Sequence, residues 1–196
     1  MIDLFPTKVL IEKSNLDMSQ VQADLNSIWK SSIETVQDNN YGFMKGDAVC
    51  SYLVHRELHN LPEFAEVAER FTMLATQYCK LMSYSIKPRI HEMWSNLYKA
   101  GSFIEMHNHA PRFLTATLYV KKPKDASNIF LKNPNEVLLK FQPLTITKLY
   151  EYPDSFEQEM VVEEGDMIAF PGYINHRTKP CKSVEDRMTI SVDFMY

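Results

Sequence analysis

Apolar residues recur along this chain with two different periods, and the change falls near residue 85. Before it, helical spacing dominates. Val21, Leu25, Ile28, Trp29 and Ile33 keep that spacing to about Val36. Asp17 suits the cap of this helix, with Gln20 three residues on as a capping-box partner. Pro62 suits the first turn of a second helix, with Phe64, Val67, Ala68, Phe71, Leu74, Ala75 and Tyr78 as its apolar stripe. A strand over 2–11, interrupted at Pro6, is expected ahead of the first helix, and Asp38 to Gly46 reads as a polar loop. From Ile86 the period becomes two. Strands are expected near 87–97, 103–109, 113–121, 127–131, 136–141, 145–150, 159–163, 167–170 and 187–195. Two helices followed by eight or nine short strands predict a mainly β fold, a sandwich or barrel with helices packed on one sheet. One domain over 1–196 is expected, with the first strand and support helices in 1–85 and the β core in 86–196.

Alternation also sorts the polar residues of the strands. In the last one, Met188, Ile190, Val192 and Phe194 form an apolar face suited to the helices, and Arg187, Thr189, Ser191 and Asp193 form the other. Leu114, Ala116, Leu118 and Val120 likewise face the helices, leaving Thr115, Thr117 and Tyr119 for the interior. Trp94, Asn96 and Tyr98 share a face of a third strand. A guanidinium turned into a barrel is costly without a partner. A carboxylate ligand would suit its bidentate fork. The same side chains would also fit a solvated outer face.

Composition narrows the function classes. With 45% hydrophobic and 23% charged residues, the 196-residue chain has the balance of a globular protein with a substantial core. A net charge of -4 provides no basic field for a nucleic acid backbone, so no nucleic-acid partner is expected. Cys50, Cys79 and Cys181 lie far apart and form no CxxC pair, which excludes a zinc knuckle or thioredoxin-type site and suggests a reducing compartment. No apolar run has the length of a membrane span. Met1 to Lys13 carries Asp3, Lys8 and Glu12 within its apolar pattern and does not read as a signal peptide. A cytoplasmic location, with no membrane partner, is the expectation.

Three of the six histidines suggest chemistry. His107 and His109 stand two apart in the alternating run FIEMHNH, so on a strand both imidazoles would reach one ion. His176 follows much later and would supply a third ligand from the far end of the sequence. An HxH pair by itself also fits structural, hydrogen-bonded histidines. His55, His59 and His91 read as ordinary, the first two in a Glu/Asn-rich surface segment. The polar faces described above would converge around the three candidates, as small-molecule sites do.

Together these residues resemble the Fe(II)- and 2-oxoglutarate-dependent oxygenases. The resemblance rests on WSNLYKAGSFIEMHNH from Trp94 to His109, GDMIAFP from Gly165 to Pro171, His176, and RMT from Arg187 to Thr189. It is strongest to a branch of small oxygenases of marine phages and bacteria. Tyr98-x2-Gly101, and Arg112-x2-Thr115-x3-Tyr119 further on, also look like the prolyl-hydroxylase branch. The likeness covers about residues 86–196. It implies a double-stranded β-helix, or jelly roll. It implies Fe(II) on His107 and His176, and 2-oxoglutarate with its distal carboxylate on Arg187. Thr189 and Tyr98 or Tyr119 would add hydrogen bonds, and Asn96 joins this cosubstrate set. The implied reaction converts 2-oxoglutarate and O2 to succinate and CO2 while hydroxylating a small molecule or protein side chain. A phage-encoded copy would work in the host cytoplasm.

The chain departs from the wider family at one point. The common facial triad is two histidines and a carboxylate, HxD or HxE, and here the second position is His109. The resulting set of candidate ligands is His107, His109 and His176, with Glu105 and Asp193 as carboxylates outside the family position. On sequence grounds, His109→Asp is expected to restore the common arrangement. Two other readings stand beside the oxygenase. One is a cupin-like three-histidine dioxygenase without 2-oxoglutarate, which leaves Arg187 without a task. The other is a non-catalytic jelly-roll binding module, such as a phage accessory protein.

Overall fold

The computed structural model describes residues 7–36, 43–135 and 156–196. Strand β1 (Leu10–Lys13) leads into helix α1 (Met18–Val36), and short strands β2 (Met44–Lys45) and β3 (Ala48–Cys50) follow. Two 3-10 turns, Leu58–Asn60 and Pro62–Phe64, precede helix α2 (Ala65–Leu81). The remainder is β: β4 (Arg89–Tyr98), β5 (Phe103–Ile104), β6 (Leu114–Lys121), β7 (Ile129–Lys132), β8 (Glu157–Met160), β9 (Asp166–Pro171), β10 (His176–Thr178) and β11 (Arg187–Met195).

Local chemistry explains both helices. The Asp17 carboxylate accepts the Ser19 and Gln20 N–H groups at 2.9 and 3.3 Å, meeting two of the donors left open at a helix start. The expected capping box is only half made, because the Gln20 side chain donates instead to Asp24. In the second helix, Pro62 opens a 3-10 turn and the α-helix begins at Ala65. Its expected stripe is the buried one, from Phe64 through Phe71 to Tyr78, with Ala68 partly buried.

The main sheet has the order β1-β9-β6-β11-β4-β3, and every pairing in it is antiparallel. One face receives the helices. Met188, Ile190, Val192 and Phe194 of β11, with Leu114, Ala116, Leu118 and Val120 of β6, pack against Leu25, Trp29, Phe71 and Leu74 in one core cluster. The opposite face holds a second cluster, in which Ile168 and Phe170 of β9 meet Ile129 and Leu131 of β7. Among the described residues, β7 belongs to a three-stranded sheet, β10-β7-β8, and β2 pairs with β5. The architecture is therefore mainly β, a jelly roll with its helices on one sheet.

Several sequence expectations change. The strand expected over 103–109 ends at Ile104; His107 lies in an isolated bridge, and His109 lies outside any strand. The strand expected over 159–163 forms at Glu157–Met160. β10 was not expected from alternation, nor were β2 and β3. The segments 136–141 and 145–150 lie outside the described residues, as does the start of the expected first strand. Among the described residues, no helix is long and apolar enough to cross a membrane.

Candidate active site

β11 occupies the middle of the main sheet between β4 and β6. Its polar face therefore sits beneath the second layer, flanked by the matching faces of both neighbours. Thr189 lies beside Asn96 and Tyr119 in register, and Ser191 beside Trp94 and Thr117. Arg187, Thr189, Ser191 and Asp193 are all buried. The outer-face alternative for this strand is thus excluded. Its polar groups bond to one another: Asn96 Nδ2 donates to Thr189 Oγ1 at 3.3 Å and to Ser191 Oγ at 3.2 Å.

The three histidines converge. One ring nitrogen from each of His107, His109 and His176 lies within 4.8 Å of the others. Strand alternation is not what joins them. His107 and His176 exchange backbone hydrogen bonds at 3.0 and 2.8 Å across an antiparallel bridge, which sets their rings 4.2 Å apart. His109 is brought in by a turn. Its N–H donates to the Gly172 carbonyl at 2.8 Å, and its own carbonyl accepts the Arg112 N–H at 2.8 Å. Gly172 allows this approach, since a Cβ there would lie 2.2 Å from the Arg112 carbonyl oxygen.

The second ring nitrogens fix the tautomers. His107 Nδ1 lies 2.8 Å from the Glu105 carbonyl, and His176 Nδ1 lies 2.9 Å from the Ile174 carbonyl. A carbonyl only accepts, so both Nδ1 atoms carry the proton. His109 Nδ1 lies 2.8 Å from Asp193 Oδ1. In each ring Nε2 is left as the free donor to an ion, the usual arrangement of metal-binding histidines. Burial pushes the His107 pKa down to about 4, against the opposing pull of the Glu105 carbonyl. Burial, reinforced by His107 and His109, holds His176 well below its ordinary value. Neutral His107 and His176 suit metal binding. Aromatic walls restrain the rings, with Trp94 stacked on His109 and the Phe170 edge against His176.

Arg187 is 1% exposed. Its guanidinium lies 3.8 Å above the Tyr98 ring, and Nη1 donates to the Ser127 carbonyl at 2.6 Å. Ser127 was not singled out in the sequence, because nothing in its local pattern marks it. Arg187 Nε is buried without a hydrogen-bond partner among the described residues. Such an orphaned donor fits an anionic ligand. Burial raises both neighbouring tyrosine hydroxyls, Tyr98 and Tyr119, while Arg187 pulls them down. Asn96, Tyr98, Tyr119, Arg187 and Thr189 line one cavity of about 50 Å³ together with the three histidines. A second cavity of about 210 Å³ shares His107 and His109 with the first and is walled by Phe43, Tyr52 and Trp94. Glu105 points away towards Lys45, at 3.4 Å, and His55, His59 and His91 take no part in the cluster.

Within this jelly roll, three convergent imidazoles that could hold a metal ion share a cavity with a buried arginine. Residues 92–193 match the family described as "Putative 2OG-Fe(II) oxygenase", and the chain belongs to that family. It is accordingly an oxidoreductase whose cofactors are Fe(II) and 2-oxoglutarate. Solved structures share the fold. A prolyl-4-hydroxylase of Pseudomonas putida superposes with a TM-score of 0.63 at 12% identity, covering 96% of this chain and 92% of that one. AviO1 of Streptomyces viridochromogenes Tue57 gives 0.66 at 11% identity, over 97% and 90%. The viral collagen prolyl hydroxylase of Paramecium Bursaria Chlorella virus-1, solved as its 2OG complex, gives 0.59 at 14% identity, over 95% and 94%. No curated protein matches the chain in sequence.

Proposed function

We propose that the protein hydroxylates a small molecule or protein side chain, with His107, His109 and His176 holding Fe(II) through Nε2 and Arg187 holding the distal carboxylate of 2-oxoglutarate. The observation that carries this reading is the set of three histidines with every Nδ1 engaged, next to a buried guanidinium with an orphaned Nε. Iron with its cosubstrate supplies the oxidising power, and the overall reaction yields succinate and CO2. The protein's own residues do the positioning. Tyr98 supports the guanidinium plane, and Asn96 orients the Thr189 and Ser191 hydroxyls beside it. The larger cavity, which His107 and His109 line but Arg187 does not, is where the substrate is placed in this reading. Its lining offers such a substrate both aromatic surface, from Phe43, Tyr52 and Trp94, and polar groups, from Glu92 and Arg112. A three-histidine enzyme working without 2-oxoglutarate would give the buried Arg187 nothing to bind.

The test is succinate formation from 2-oxoglutarate in air, with candidate substrates present or absent. Succinate should appear only with Fe(II) added, and His176→Ala should reduce it below detection. Turnover that survives His176→Ala would refute the assignment.

A further inference from the structure

A carboxylate in the common facial triad cancels one of the two charges on the metal. Three imidazoles cancel none. Behind His109, however, stands Asp193, whose Oδ1 lies 2.8 Å from Nδ1, with the two side chains only 11% and 7% exposed. Among the described residues, His109 is its hydrogen-bond partner, and the nearby Arg112 is bonded to Glu92 instead. A buried carboxylate without a full positive charge beside it is costly. A cation on the opposite side of the His109 ring would match it. The backbone also builds this position deliberately. The register of β11 against β4 shifts between Asp193 and Phe194, and such irregularities re-aim a side chain beside a site.

We infer that Asp193 is the charge counterpart of the missing triad carboxylate, set back from the metal by one imidazole. It is a positioning residue. It holds His109 with Nδ1 protonated and Nε2 free, and it passes negative charge to the ion through the ring. This inference rests on the three-histidine metal site proposed above. It also changes what His109→Asp should do. An aspartate at 109 would place a negative charge at the metal directly, so Asp193 would no longer act through an imidazole. Adding Asp193→Asn to His109→Asp should therefore cost much less metal affinity than Asp193→Asn costs in wild type.

Mn(II) titration of the metal-free protein by calorimetry tests this without turnover. Wild type should bind one ion. Asp193→Asn keeps the size of the side chain and should weaken binding about tenfold or more, the range typical of such outer partners. His109→Asp should keep Mn(II) binding, and adding Asp193→Asn to it should change the affinity far less than the same change does in wild type. Circular dichroism of each metal-free variant establishes that it is folded. Wild-type affinity in Asp193→Asn, or an equal loss when Asp193→Asn is added to His109→Asp, would overturn the role of Asp193. Wild-type affinity in His107→Ala would instead overturn the underlying metal site, so the two failures are distinguishable.

Discussion

Burial takes the His107 pKa from 6.5 down to about 4, and this has a consequence for stability. As the pH falls, the unfolded chain takes up the proton first. The contribution of neutral His107 is complete above about pH 6.5 and is lost as the pH drops towards 4. His176 shifts in the same direction. Thermal unfolding of metal-free protein should therefore show a midpoint that falls between pH 7 and pH 4.5, on the order of the window set by those values. His107→Gln should flatten that fall, and parallel profiles for the two proteins would contradict it. At this scale the sequence was informative. His107, His109, His176 and Arg187 were recognisable from motif order, and all four line one cavity. The role of Asp193 was not recognisable. It lies 84 residues from His109, and the two meet only because the turn held on Gly172 carries His109 towards the end of β11.

At the scale of elements, alternation read β4, β6 and β11 correctly because each runs eight residues or more with one face against the helices. It misread 103–109, where the chain leaves the strand after Ile104 and turns at His109. It missed β10, since three residues hold too short a pattern to register a period. The turn that carries His109 depends instead on Gly172, a single residue whose importance lies in a contact 60 positions away in sequence, with Arg112. Gly172→Ala must push a backbone carbonyl aside. It should cost roughly 1–3 kcal/mol of stability in urea unfolding, as overpacking does, and should weaken Mn(II) binding as His109 shifts. Unchanged stability together with unchanged Mn(II) affinity would show that this approach is not needed.

Across the whole molecule, the two periods of the sequence correspond to a division of labour. The helical half covers one face of the main sheet with Phe71, Leu74 and Trp29, and this makes β11 a central, fully flanked strand. Burial of its other face follows from the smaller sheet, whose Ile129 and Leu131 close over Ile168 and Phe170. A polar strand face can persist inside a protein only where its groups are satisfied. Among the described residues of β11, Arg187 Nε is a buried side-chain donor without a partner. In the proposed function, this guanidinium binds the carboxylate of a ligand held at the histidines. The most direct measurement is calorimetric titration of 2-oxoglutarate into wild-type and Arg187→Ala protein, each with and without Mn(II). Wild type should bind 2-oxoglutarate tightly only with Mn(II) present, and Arg187→Ala should lose about tenfold or more, the worth of a charged hydrogen bond of roughly 1.5–3 kcal/mol. Equal affinity in Arg187→Ala, or wild-type binding that ignores the metal, would contradict the account.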